Sequence, residues 1–271
     1  MLGSIKYTYT RFIVLVLALL GFFSVPDSIL ASTATDHEVP LEIIFRKEET
    51  LRYEITWLGI TVGRLTMQIA AGAEPDREFV IRVSARAANV FAVFHPGEDT
   101  FETLVDAATG LPKQFIYNRD EGKKKKSETY DQDNFIVTSA LNDEKPGIFK
   151  LDGPVHNEFS SFFFLRSHSL AVDRNFIVPT FADKKRHEVQ VEVQKQEKMK
   201  SIFGEVPVIR VKPHLGFSGL YQKTGDPVIW FIDDELHVPV MIKASIILGS
   251  LVGTLVDYQG DDTRRLERLR P

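Results

Sequence analysis

Asp233 and Asp234, in the run Trp230-Phe231-Ile232-Asp233-Asp234, are the carboxylates whose spacing comes nearest to an acid and base pair. With a histidine such as His214 or His237 in reach, they would suit hydrolysis of a glycoside or an ester in an envelope enzyme. Neighbouring residues of a strand point to opposite faces, so the two cooperate only if they sit in a turn. Val238-Pro239-Val240 follows, and a turn is the expected setting, with the aspartates accepting hydrogen bonds from backbone amides. That role is structural rather than catalytic.

Other chemistries lack their residues. In Gly216-Phe217-Ser218-Gly219-Leu220 the second glycine comes one residue too early for a nucleophile elbow. Asp131, Asp133 and Asn134 resemble a calcium loop, but Ile136 stands where that loop needs glycine, so a hairpin is expected there. The seven histidines form no close pair at metal spacing, and there is no cysteine. Neither a metal nor a cofactor is expected, and disulfides and a lipid-bearing cysteine are excluded.

Aromatic and basic residues offer binding instead. Of the twenty phenylalanines, Phe159, Phe162, Phe163 and Phe164 gather in one segment. With Tyr53, Trp57 and Trp230, the residues Phe159, Phe162 and Phe163 are the candidates to line an apolar ligand cavity under a curved sheet. Ordinary core packing is the competing use of such a stripe. Lys123, Lys124, Lys125 and Lys126 follow Glu121-Gly122 between two strand-like stretches and could touch an anionic surface. A lysine-rich hairpin tip also keeps sheet edges from pairing.

The elements that must carry these residues are nearly all strands. Leu51, Tyr53, Ile55 and Trp57 alternate with polar residues, and Leu65, Met67 and Ile69 repeat the pattern beyond the turn at 59–63. Phe79, Ile81 and Val83 continue it, and 101–105, 114–118 and two strands within 126–141 follow. Val189, Val191 and Val193 share a face, with 206–211 as their partner strand. Residues 228–232 and 241–258 close the series, where Gly249 and Gly253 predict a turn or bulge. One helix is expected near Phe159 to Leu170, capped by Asn157, with Glu158, Ser161 and Arg166 facing water. The fold class is therefore mainly β: a strongly curved antiparallel sheet or open barrel with one main helix packed on it.

Residues 1–31 read as an export signal: Lys6 and Arg11 precede the uncharged run Phe12 to Phe23, and Ala31 ends a plausible cleavage site. The expected location is the periplasm. Residues 32–40 form a flexible segment, 41–260 a single β-rich domain and 261–271 a charged flexible tail. The formal charge is -4 over the whole chain and one unit more negative without the leader. Nucleic acid is thus not an expected partner, since phosphate binding needs a basic face.

Tyr53 with Trp57-Leu58-Gly59-Ile60 and Gly63, Ser160 to Arg166 as SSFFFLR, Val178-Pro179-Thr180-Phe181, and Trp230 to Asp234 with Pro239 together carry a resemblance. The chain resembles the domain of unknown function 3108 family over nearly all of its length after the leader. The resemblance implies an exported bacterial protein with a β-rich fold, and it brings no reaction with it. Chain and resemblance together predict a non-enzymatic binding or carrier protein for a lipidic or apolar envelope component, held in a partly vacant interior. An envelope protein partner docked by a surface patch is the other binding role expected, and membrane contact would be peripheral.

Overall fold

The computed structural model describes residues 41, 44, 48–94, 97–119, 124–142, 144–215, 225–246 and 248–260. Residues 1–31, read as an export signal, the segment 32–40, residues 261–271, Lys123 and the Ser218 loop lie outside the described residues.

Fourteen strands form one antiparallel sheet. They are β1 (Glu49–Trp57), β2 (Ile60–Ala71), β3 (Glu78–Ala87), β4 (Glu98–Asp106), β5 (Pro112–Arg119), β6 (Lys124–Asp131), β7 (Ile136–Leu141) and β8 (Gly147–Lys150). After them come β9 (Asn175–Ala182), β10 (Lys185–Ser201), β11 (Gly204–His214), β12 (Val228–Ile232), β13 (Pro239–Ile246) and β14 (Gly249–Gln259). Two helices are described, α1 (Val90–Phe94) between β3 and β4 and α2 (Glu158–Leu165) between β8 and β9.

The spatial order is β8-β7-β6-β5-β4-β3-β2-β1-β14-β13-β12-β11-β10-β9. Each strand pairs with its neighbour in sequence, apart from one joint where the first strand meets the last. The edges β8 and β9 do not pair with each other, so the barrel stays open.

Laid flat, fourteen strands about 4.8 Å apart would span about 60 Å. Yet α2, about 12 Å long, reaches across the whole order. Phe159 lies 5.1 Å from Phe101 of β4 and 6.0 Å from Phe115 of β5, and Phe162 lies 6.3 Å from Phe231 of β12. Arg166, just past the helix, bonds Glu49 of β1. One short helix can touch all of these only if the sheet curls around it. The period-two residues Leu51, Tyr53, Ile55, Leu65, Val83, Val189, Val191 and Val193 are all buried, as half-buried strands require.

The open seam is sealed mainly by side chains. Phe181 of β9 meets Tyr130 of β6 at 6.2 Å and Phe149 of β8 at 5.7 Å. One parallel bridge adds to this, with His156 N–H donating to Pro179 O and Phe181 N–H to His156 O. Pro179 itself can donate nothing, which fits its place on an edge strand.

Candidate functional site

Three features could serve a ligand: the interior around α2, a polar groove on the outer face, and one end of the barrel.

Asn157 caps α2 as the sequence predicts, its Oδ1 accepting from Phe159 N–H and Ser160 N–H at 3.1 and 2.8 Å. The helix ends earlier than expected, at Leu165, with Arg166 as its C-cap. This overturns the expectation that Arg166 faces water. The residue is 1% exposed, with Nη1 and Nη2 donating to Glu49 at 2.5 and 2.9 Å and Nε donating to Leu236 O at 3.1 Å. A guanidinium at a helix C-terminus also faces the negative end of the helix dipole.

Around α2 the described aromatic side chains pack closely. Phe159, Phe162 and Phe163 are buried core residues, and Tyr53 donates its hydroxyl to Pro239 O at 2.7 Å. Burial pushes the Tyr53 hydroxyl well above its ordinary pKa, so it stays protonated. A hollow bounded by Phe162, Leu165, Val178, Val189, Leu215 and Ile229 measures about 20 Å³, too little for an acyl chain. The other two residues expected to join this cavity lie elsewhere. Trp230 donates to Glu197 Oε1 at 2.6 Å beneath the β10–β11 hairpin, and Trp57 stands at one end of the barrel.

At the entry to α2 lies a small polar cluster. Burial holds the His156 imidazole down to about 3, with His168 adding to the effect. Burial also pushes the Glu158 carboxyl up to about 7; nearby Glu128 adds to this and Lys126 opposes it. Lys126 is half-buried, reaching Glu128 at 2.8 Å and lying over the Phe115 ring. Period-two alternation is the cause, and it leaves Lys125 exposed.

Of the histidines weighed for hydrolysis, His214 stands away from Asp233 and Asp234, whereas His237 lies beside them. Asp234 Oδ1 accepts from Leu236 N–H and His237 N–H at 3.0 and 3.1 Å, the turn role that the sequence predicts. Asp233 accepts from Gln196, and its N–H donates to Pro207 O. His214, seven residues further along β11 and hence about 20 Å away, bonds Glu192 and Asp226. His237 is buried with Nδ1 on Arg166 O at 2.8 Å. Asp131 accepts from Asn134 in the β6–β7 hairpin, so the calcium-like run is a turn. Among the described residues no group of acidic and histidine side chains could hold a metal.

On the outer face of β2 to β5 runs a groove of about 330 Å³ lined by Gln68, Arg82, Ser84, Thr100, Glu102 and Asn118. Arg82 Nε and Glu102 Oε2 pair across its floor at 2.9 Å.

The barrel end at the β1–β2 turn is different in character. Leu58 is 69% exposed, Ile60 58%, Val93 77% and Leu248 68%. Trp57 Nε1–H donates to Leu248 O at 2.6 Å, which joins the β1–β2 and β13–β14 turns. Asn89 Nδ2 donates to Thr61 O at 3.0 Å, which brings α1 alongside. Residues 57–63, 87–94 and 244–253 contain no Asp, Glu, Lys or Arg. Of the ten large apolar side chains exposed among the described residues, five (Leu58, Ile60, Val90, Val93 and Leu248) stand at this end.

The architecture is that of a barrel-like, single-sheet β protein threaded by a helix. A family model described as "Protein of unknown function (DUF3108)" matches residues 52–256, and the chain belongs to that family. No curated protein matches it. Among solved structures, the chain is similar to a beta-barrel-like protein of domain of unknown function DUF1849 from Brucella abortus, at 14% identity and a TM-score of 0.55. That likeness covers 80% of this chain and 99% of the Brucella chain, and it shows the fold alone. A putative exported protein with a YmcC-like fold from Bacteroides fragilis aligns at 10% identity and a TM-score of 0.33, over 78% of this chain and 95% of the other.

Proposed function

We propose that the protein is an exported, periplasmic, non-enzymatic binding protein for an apolar or lipidic component of the cell envelope, which it meets at its uncharged barrel end. The observation that carries this is the set of exposed side chains Leu58, Ile60, Val93 and Leu248 gathered at one barrel end. Exposed apolar side chains occur singly on most proteins, but a cluster drawn from three loops marks a binding surface. The burial of Phe159, Phe162 and Phe163 in the described core supports a ligand met at the surface over one lined by these three rings.

A photoactivatable fatty acid, irradiated with the purified protein and mapped by mass spectrometry, tests the reading. Adducts are expected on peptides holding residues 57–60, 90–93 and 248. Adducts confined to Phe159, Phe162 and Phe163, or none at all, would sink it.

A further inference from the structure

We infer that the barrel end at Leu58 is a bilayer-docking tip, and that its occupant is an anionic phospholipid surface. This deepens the proposed function and rests on it.

The β1–β2 turn has two residues, Leu58 at φ 49° and Gly59 at φ 79°. Both central positions of such a turn need left-handed backbone, which Asn, Asp and Gly adopt readily and leucine does not. Leu58 is thus unfavourable here twice over, in its backbone and in its exposure to water. Asparagine would relieve both, so the turn's geometry gives no reason for a leucine at this position. A use for its side chain does, since strained residues persist where the strain serves a role.

The shape of the patch selects the occupant. Its side chains stand on turn tips and a five-residue helix rather than on one sheet face. Side chains carried on separate tips suit a fluid phase, because lipid fills any gaps between them. Trp57 joins the tips through its indole N–H, an amphipathic ring of the kind that settles at headgroup depth. Behind the tip stand the exposed cations Arg64, Arg86 and Lys243, with Glu54 and Glu98 opposite the two arginines in register. None of the three cations holds an ion pair among the described residues. At their depth these cations would meet phosphate groups once the apolar tips were immersed.

The test uses the protein in the form purified from the cell envelope, with Trp230→Phe so that Trp57 alone reports. It is mixed with vesicles of phosphatidylcholine containing about one-third phosphatidylglycerol, or with phosphatidylcholine alone. Trp57 emission is expected to shift to shorter wavelength and to be quenched by brominated acyl chains in the anionic vesicles. Binding should weaken as salt is raised. Leu58→Asn with Val93→Ser, which keeps a turn-compatible residue at 58, should weaken vesicle binding at least about tenfold while leaving the thermal midpoint unchanged or higher.

Unquenched Trp57 in both vesicle types overturns the inference, even if the protein sediments with them through its leader. Binding that survives Leu58→Asn with Val93→Ser also overturns it. A concentration-dependent dimer abolished by the same pair would replace the bilayer with a second copy. Capture of monomeric lysophospholipid by the tip without vesicle binding would sink the bilayer alone and leave the proposed function standing. Loss of both would sink the two together.

Discussion

Arg166 and Glu49, 117 residues apart in sequence, form a two-pronged ion pair inside the barrel that fastens the end of the helix to the first strand. The guanidinium also takes Leu236 O, and His237 bonds the Arg166 carbonyl, so the β12–β13 turn is held by the same residue. Three segments thus meet at one buried charge.

Removing one partner leaves the other charge buried and uncompensated. Glu49→Gln or Arg166→Met should each destabilise the fold by about 3–5 kcal/mol, read as a fall in the urea midpoint. Glu49→Leu with Arg166→Met should recover much of that loss, because two apolar residues bury without an ionic desolvation penalty. A double variant as unstable as the sum of the single ones would show that the pair is not acting as a unit.

His156 predicts acid sensitivity. Its folded pKa of about 3 lies below the ordinary value near 6.5, so the unfolded chain binds the extra proton first. Stability from this group is therefore fully present above pH 6.5 and is lost as pH falls from there toward 3, by a few kcal/mol on the order-of-magnitude scale. His156→Phe, which keeps the ring beside Phe164, should flatten the stability curve in that window. An unchanged slope in denaturant titrations at pH 6.5 and 4 would refute the assignment.

Glu158 predicts the opposite slope. Its folded pKa of about 7 lies above the ordinary carboxyl value of 4.5, so its contribution is greatest below pH 4.5 and fades as pH rises through 7. Glu158→Gln should be more stable than the parent at pH 8 and should lose that advantage by pH 4.5. Thermal midpoints of the two proteins at both pH values decide this, and an equal difference at the two would count against it.

Gly253 of β14 lies where a Cβ would come within 3.0 Å of Ile55 Cδ1 and 3.8 Å of Ile242 O. Ile55 is fully buried and has little room to yield. Gly253→Ala should cost about 1–2 kcal/mol by overpacking. Adding Ile55→Val, which removes the methyl group in the way, should make the pair less costly than the sum of its parts. Strict additivity in equilibrium unfolding would argue that the strand shifts instead.

Much of the sheet was legible because its strands are half-buried and period two survives in Leu51-Tyr53-Ile55 and Val189-Val191-Val193. The edge strands were not. Gly147–Lys150 is only four residues long, and Asn175–Ala182 contains Pro179, which masks a strand pattern. Helix α1, at five residues, is too short for helical periodicity to register. Arg166 was misplaced because a charged residue at a helix end ordinarily meets water, and its buried partner stands far away in sequence. Trp57 was singled out, but its neighbours Leu58, Ile60, Val93 and Leu248 were not, since an uncharged strand end looks like a core segment until its exposure is known. The lack of charge across 57–63, 87–94 and 244–253 was the available signal.

Because β1 lies against β14, with Arg52 bonded to Asp257, the opening strand has an open flank until the final strand is in place. Hairpins along the way can form early, but the ring of contacts around the helix waits for the end of the chain, and such long-range closure is slow. Truncation by even a dozen residues before Gln259 would strip a full flank from β1 and leave a sticky, unpaired edge. Synthesis must therefore reach β14 before the first strand can gain its second neighbour.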